Sequence, residues 1–156
     1  MIIPKYSKEI YNSKNKVRVN FISDKKIINY YLYRDERINH SKCVLKEDKK
    51  IFDEVKNVME KQEMKIGDII STPETINYSS GGVIHSIVKM KNQSIKKEDI
   101  IICLEKIKLH CIQQGFESVI IPMININNVS LYELRKIYSD CLKVVNTSFY
   151  IVFPSR

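Results

Sequence analysis

The feature that most constrains this chain is a repeated change of hydrophobic period. Lys16 to Ile22 alternates, with Val17, Val19 and Phe21 on one side and Arg18 and Asn20 on the other. A period of two marks a half-buried strand. Ile27 to Tyr33 is a nearly continuous run of β-branched and aromatic residues, which predicts a more buried strand. The period then lengthens. Ile51, Val55, Val58 and Gln62 recur at helical spacing, and Phe52 and Met59 widen the apolar face, so a helix is expected over residues 44–62. Ile66 to Ser71 reads as a short strand stopped by Pro73, Asn77 to Gly82 as a turn-rich link, and Val83 to Met90 as the next strand.

The second half repeats the switch. Lys97 to Gln114 has Glu98 and Asp99 in its first turn, where the positive end of the helix dipole favours them, and Gly115 as its stop. Ile100, Leu104, Ile107 and Cys111 form its inward stripe. Ser118 to Ile124 predicts a buried strand. Ser130-Leu131-Tyr132-Glu133 fits a capping box, in which the Ser hydroxyl accepts from a free backbone N–H and the Glu reaches back. Leu134, Ile137, Tyr138, Cys141 and Leu142 follow at helical spacing, and Ser148 to Phe153 closes the chain as a strand ended by Pro154.

The order is strand, strand, helix, strand, strand, helix, strand, helix, strand. It argues for an α/β fold with helices on both faces of a mixed sheet. Ligands in such sheets bind at the carboxyl ends of the strands, on loops that lead into helices. Residues 1–15 read as a polar lead-in and 16–156 as one domain, a size that can bury one sizeable core. At 44% hydrophobic the chain is not disordered. Its longest apolar runs, such as Ile100 to Leu104, are too short to span a bilayer, and the N-terminus has no signal-peptide core. An intracellular setting, cytoplasmic or nuclear, with no membrane partner is the expectation.

The formal charge is +8. A basic balance favours anionic partners such as nucleic acid, nucleotide phosphates or acidic proteins. Abundant Lys, Asn and Ile also fit the A/T-rich codons of a virus or bacterium, and both readings stand. Cys43, Cys103, Cys111 and Cys141 form no CxxC pair and no grouping with zinc-ligand spacing. Reduced thiols, no metal and no cofactor are expected. No Walker A loop, HExxH, GxSxG or dinucleotide fingerprint is present.

The element order over residues 16–153 resembles the macro domain, with the closest likeness to the terminal ADP-ribose protein glycohydrolase branch. Cys103 to Gly115, a helix ending at glycine, leads into Ile121-Pro122-Met123-Ile124, which is similar to the family's Ile/Phe-Pro-x-Ile strand end. Ser23-Asp24 resembles its Gly-Asp, whose aspartate contacts the adenine amino group. The resemblance implies a three-layer α/β/α fold with a mixed central sheet. It implies ADP-ribose, an ADP-ribosylated protein or a related nucleotide as ligand.

Departures from the pattern bear on activity. The family cradles a diphosphate on two glycine-rich loops, because glycine lets backbone N–H groups converge on an anion. Here the corresponding stretches are Arg37 to Cys43 and Asn125 to Val129, both without glycine. The branch's catalytic lysine position falls at Ser71-Thr72-Pro73, and its aspartate position falls among Asn and Val. Neither replacement supplies a lysine nucleophile or a carboxylate acid/base, so the hydrolase chemistry is expected to be lost. No catalytic residue is assigned.

The ligand-binding candidates are Asp24, Asn39, His40, Ser41, Asn125, Asn127, Asn128 and Phe153. Asp24 reads equally as an adenine contact or a turn cap. His40 and Ser41 suit a phosphate, or, with Cys43, a nucleophile and base; a solvated loop histidine is the commoner outcome. The asparagines suit an anion site or a turn. Phe153 suits adenine stacking or core packing, and core packing also suits Tyr30, Tyr31 and Tyr33. His85 and His110 read as packed histidines. A pseudo-enzyme that serves as a protein-interaction subunit, near nucleic acid, is the alternative function.

Overall fold

The computed structural model describes residues 2–3, 16–28, 46–72, 82–144 and 146–152. Its sheet contains β1 (Ile2–Ile3), β2 (Lys16–Ser23), β3 (Ile69–Thr72), β4 (Gly82–Lys89), β5 (Ser118–Pro122) and β6 (Ser148–Val152). The helices are α1 (Lys46–Lys61), α2 (Lys97–Gln114) and α3 (Leu131–Cys141). The strand order is β1-β6-β5-β2-β4-β3. Among the described strands only β3 runs antiparallel to its neighbour, so the sheet is mixed, as the alternation implied.

The pleat sorts the core. Val17, Val19 and Phe21 of β2 share a face with Ile84, Val119, Ile121, Phe149 and Ile151, and α2 and α3 cover it with Ile100, Leu104, Ile107, Leu134 and Tyr138. The other face carries Ile22, Ile70 and Ile87 against Ile51, Phe52 and Val55 of α1. The result is three layers, α/β/α. The inward stripe read from α2 is buried in full.

Local chemistry sets the helix ends. Gly115 takes the left-handed conformation (φ 71°), and the Phe116 N–H reaches back to the Cys111 carbonyl at 3.1 Å. Only glycine enters that region without a Cβ penalty. Ser130 Oγ accepts from the Glu133 N–H at 3.1 Å, the first arm of the expected capping box. The second arm is not made: the Glu133 carboxylate pairs instead with Lys97 Nζ at 3.0 Å.

Other boundaries move. Ile2 and Ile3, within the expected lead-in, pair with Ile151 and Val152 as an edge strand. β3 begins at Ile69, because Gly67 (φ 93°) turns the chain before it. The Gly67 N–H donates to the Ile87 carbonyl at 2.7 Å. β5 stops at Pro122. Of the strand expected over 27–33, Ile27 makes an isolated antiparallel bridge to Ile22, and residues 29–33 lie outside the described residues.

Candidate functional site

β2, β4, β5 and β6 point the same way, so their carboxyl ends form one crest. Three described loops meet there: Asp24–Lys26 after β2, Met90–Lys96 after β4, and Met123–Ser130 after β5. The β5 loop is held from below. Tyr138 Oη donates to the Pro122 carbonyl at 2.9 Å and accepts from the Ile124 N–H at 3.3 Å. Burial pushes the Tyr138 hydroxyl pKa well up, so it stays a neutral donor. The loop then turns at Asn127-Asn128, closed by the Val129 N–H on the Ile126 carbonyl at 3.2 Å, with Asn128 left-handed at φ 67°. Asparagine is the side chain best suited to that geometry after glycine.

Between this turn and the start of α2 lies a cleft of about 390 Å³, lined by Ser94 to Lys97, Ile126 to Val129 and Glu133. That volume falls within the range of roughly 300–1,000 Å³ typical of small-molecule sites. Lys96 caps α2 with extended backbone (ψ 153°) and no side chain bonding back. Lys96 and Lys97 line the cleft, so the start of an 18-residue helix opens beside it, where the dipole favours an anion. The Lys97–Glu133 pair spans it at 3.0 Å. The hydrogen bond that Lys97 donates to Glu133, and then the charge of that carboxylate, raise the Lys97 pKa and keep the ammonium charged. The arrangement can hold an anion and hydrogen-bond an amide or hydroxyl. Among the described residues no His, Cys, Asp and Glu group could hold a metal.

No protein-family model and no curated protein matches the sequence. Solved structures do share its architecture. The macrodomain of Mycobacterium tuberculosis DarG superposes with a TM-score of 0.70 over 99% of both chains, at 11% identity. The macrodomain of Thermus aquaticus DarG gives 0.69 over 99% of this chain and 100% of that one, at 9% identity. The chain has the macrodomain fold. Thermosipho africanus DarTG in complex with ADP-ribose gives 0.62 over 88% of this chain and 38% of that one, at 10% identity.

On this macrodomain crest, Asn127 and Asn128 line the cleft, while exposed Asn125 does not. Asp24 is half-buried in the bend after β2, the second strand of the sheet in chain order. The bend is capped by Ser23 Oγ, which accepts from the Lys25 and Lys26 N–H groups at 3.1 and 3.0 Å. Ser23 thus caps the turn, the role that was one of the two readings of Asp24. Asn39, His40, Ser41, Cys43 and Phe153 lie outside the described residues.

Ser71 and Thr72 close β3, which runs down the sheet, so they sit away from the crest. Thr72 Oγ1 lies 2.8 Å from His85 Nε2, and Ser71 Oγ lies 3.4 Å from His110 Nε2. His85 is fully buried, in keeping with its reading as a packed residue. Cys103, Cys111 and Cys141 are free and buried, and burial raises each thiol's pKa, to about 11, 12 and 11. Such thiols are poor nucleophiles.

Sequence reasoning missed the β4 loop. Lys91 and Asn92 are both left-handed (φ 53° and 61°), and the Gln93 N–H closes the turn on the Met90 carbonyl at 3.1 Å. The Lys-Asn-Gln-Ser stretch directly after a strand was the available signal.

Proposed function

We propose that this chain is a macrodomain-fold module that binds ADP-ribose or a related nucleotide at its crest without hydrolysing it. The observation that carries the reading is the cleft between the uncapped start of α2 and the Asn127-Asn128 turn. In this reading a phosphate group meets the α2 N–H groups and the Asn127 and Asn128 amides. Asp24 takes the adenine amine. Asn39, His40, Ser41 and Phe153 are assigned by resemblance alone. The ADP-ribose complex of the Thermosipho protein, which shares the fold, supports the choice of ligand. The lack of hydrolysis rests on the missing lysine and aspartate, and on Ser71 and Thr72 being tied to histidines away from the cleft.

Calorimetric titration with ADP-ribose, with ADP and AMP as controls, tests the proposal. Saturable heat is expected, weakened about tenfold in Asn128→Asp, which keeps a turn-forming side chain but sets a carboxylate against the phosphate. Asp24→Ala is expected to weaken all adenine ligands alike. No heat up to millimolar ligand would sink the reading and leave the protein-interaction module in its place.

A further inference from the structure

The charge of this chain is not spread evenly over its elements. Helix α1 carries five basic and five acidic residues, α2 three and three, and α3 two and two. The exits of β2 and β4 are different. Residues 24–26 and 89–96 hold five lysines (Lys25, Lys26, Lys89, Lys91 and Lys96) against the single carboxylate of Asp24. That surplus of four is half of the formal +8.

The two loops form one surface. Ser23 and Lys89 are register neighbours across the β2–β4 ladder, so their exits start about 4.8 Å apart. Lys25 Nζ donates to Asn92 Oδ1 at 3.2 Å and joins the loop tips. Lys25, Lys26 and Lys91 are exposed and Lys89 is half-buried. None of these four makes an ion pair among the described residues. Lys91 also holds a left-handed backbone (φ 53°), a conformation that a non-glycine side chain adopts at a cost of about 1 kcal/mol or more. Concentrated, unneutralised charge on a strained turn is a feature the fold itself does not need.

We propose that the β2 and β4 exit loops bind the phosphodiester backbone of single-stranded nucleic acid. Lysine ammonium groups take the phosphates, and Asn92, Gln93 and Ser94 offer hydrogen bonds to phosphate and sugar oxygens. Two loops whose strands leave the sheet as immediate neighbours present one row of charge, which suits one backbone. No exposed large hydrophobic lies on it: Ile102, Leu109, Ile112, Leu131 and Tyr132 are all elsewhere, which disfavours insertion into a lipid surface. Ser94 and Lys96 also line the Asn127-Asn128 cleft, so the surface borders it, but Lys25, Lys26, Lys89 and Lys91 lie outside that lining and their charge does not depend on the cleft's ligand.

Fluorescence anisotropy of the full chain with labelled oligothymidylate and oligouridylate of about twelve nucleotides tests it. Titrations are run between about 50 and 200 mM salt. The triple variant Lys25→Gln, Lys26→Gln, Lys91→Asn keeps a left-handed-tolerant residue at 91. It is expected to bind about tenfold more weakly and to flatten the log–log salt slope by about 2. The control Lys56→Gln, Lys136→Gln, Lys143→Gln removes the same charge from exposed sites elsewhere and is expected to retain most of the affinity. Three results overturn the proposal: no saturable binding by the native chain, equal losses in both triple variants, or displacement of the oligonucleotide by polyglutamate at equal charge concentration. The last would point to an acidic protein instead.

Discussion

Towards α2 and α3, strand β2 presents Val17, Val19 and Phe21; towards α1, the same strand presents Arg18, Asn20 and Ile22, all buried. The first face is an almost purely apolar interior. The second puts a charge, an amide and the His85 imidazole into a similar depth. An apolar interior is non-directional and tolerates exchange of like for like. A buried polar row is stable only while its partners stay in place. The two faces should therefore fail in different ways, the first by cavity and the second by protonation or loss of a hydrogen bond.

The largest effect is expected on the apolar face. Leu104 is fully buried between α2 and the sheet. Leu104→Ala should cost roughly 2–5 kcal/mol, through lost transfer energy and a residual cavity. A urea titration checks this: the midpoint falls while the slope stays constant. A cost below about 1 kcal/mol would mean that α2 packs loosely, and the contrast between the faces would fail.

The polar face should respond to acid. Burial first, and then the Arg18 charge, lower the His85 pKa from 6.5 to about 3. The folded protein thus binds the proton less well than the unfolded chain. The neutral-histidine contribution is fully present above pH 6.5 and is lost as pH falls from there towards 3. The loss is on the order of 2 kcal/mol between pH 6.5 and 4.5. Stability curves of native protein and His85→Gln should converge by that amount across this window, with carboxylate effects common to both. Parallel curves would show that His85 titrates normally.

A smaller loss should follow from the hydrogen bond itself. His85 Nδ1 has no partner, whereas Nε2 lies 2.8 Å from Thr72 Oγ1. A buried lone pair left alone costs less than a buried N–H, which places the proton on Nε2, donating to Thr72. Thr72→Val removes that acceptor and should cost about 1–3 kcal/mol at neutral pH. It should also leave the acid window of His85 in place. A neutral substitution would show that the threonine only fills space.

The two faces also differ in how far the residues announced them. Period-two alternation gave β2, and β-branched runs gave β4 and β5, because each buries a whole face. The stripes of α2 and α3 were legible for the same reason. β1 was not, since two isoleucines carry no period and only pairing with β6 defines them. β3 was displaced because the turn at Gly67 depends on a bond to Ile87, distant in sequence. At the crest, Asn127 and Asn128 were legible as turn formers, which is what their backbone does. The lysine surface was not. Lys25 and Lys91 are far apart along the chain and become neighbours only once β2 lies beside β4.

The smallest effect separates the two arms of the capping box at α3. Ser130 Oγ satisfies the Glu133 N–H, while the Glu133 carboxylate is committed to Lys97. Ser130→Ala should cost about 1 kcal/mol, and Ser130→Gly only a few tenths. If Glu133 took no part in capping, Glu133→Gln would leave the Ser130→Ala cost unchanged, because the two effects are then independent. A cost that changes in the Gln background would mean that the carboxylate also reaches Ser130. The contact of α3 with the cleft would then be part of the helix's own stability. The expected additivity instead leaves the Ser130 cap independent of the Lys97–Glu133 pair, so that a change at the crest need not disturb the apolar face beneath it.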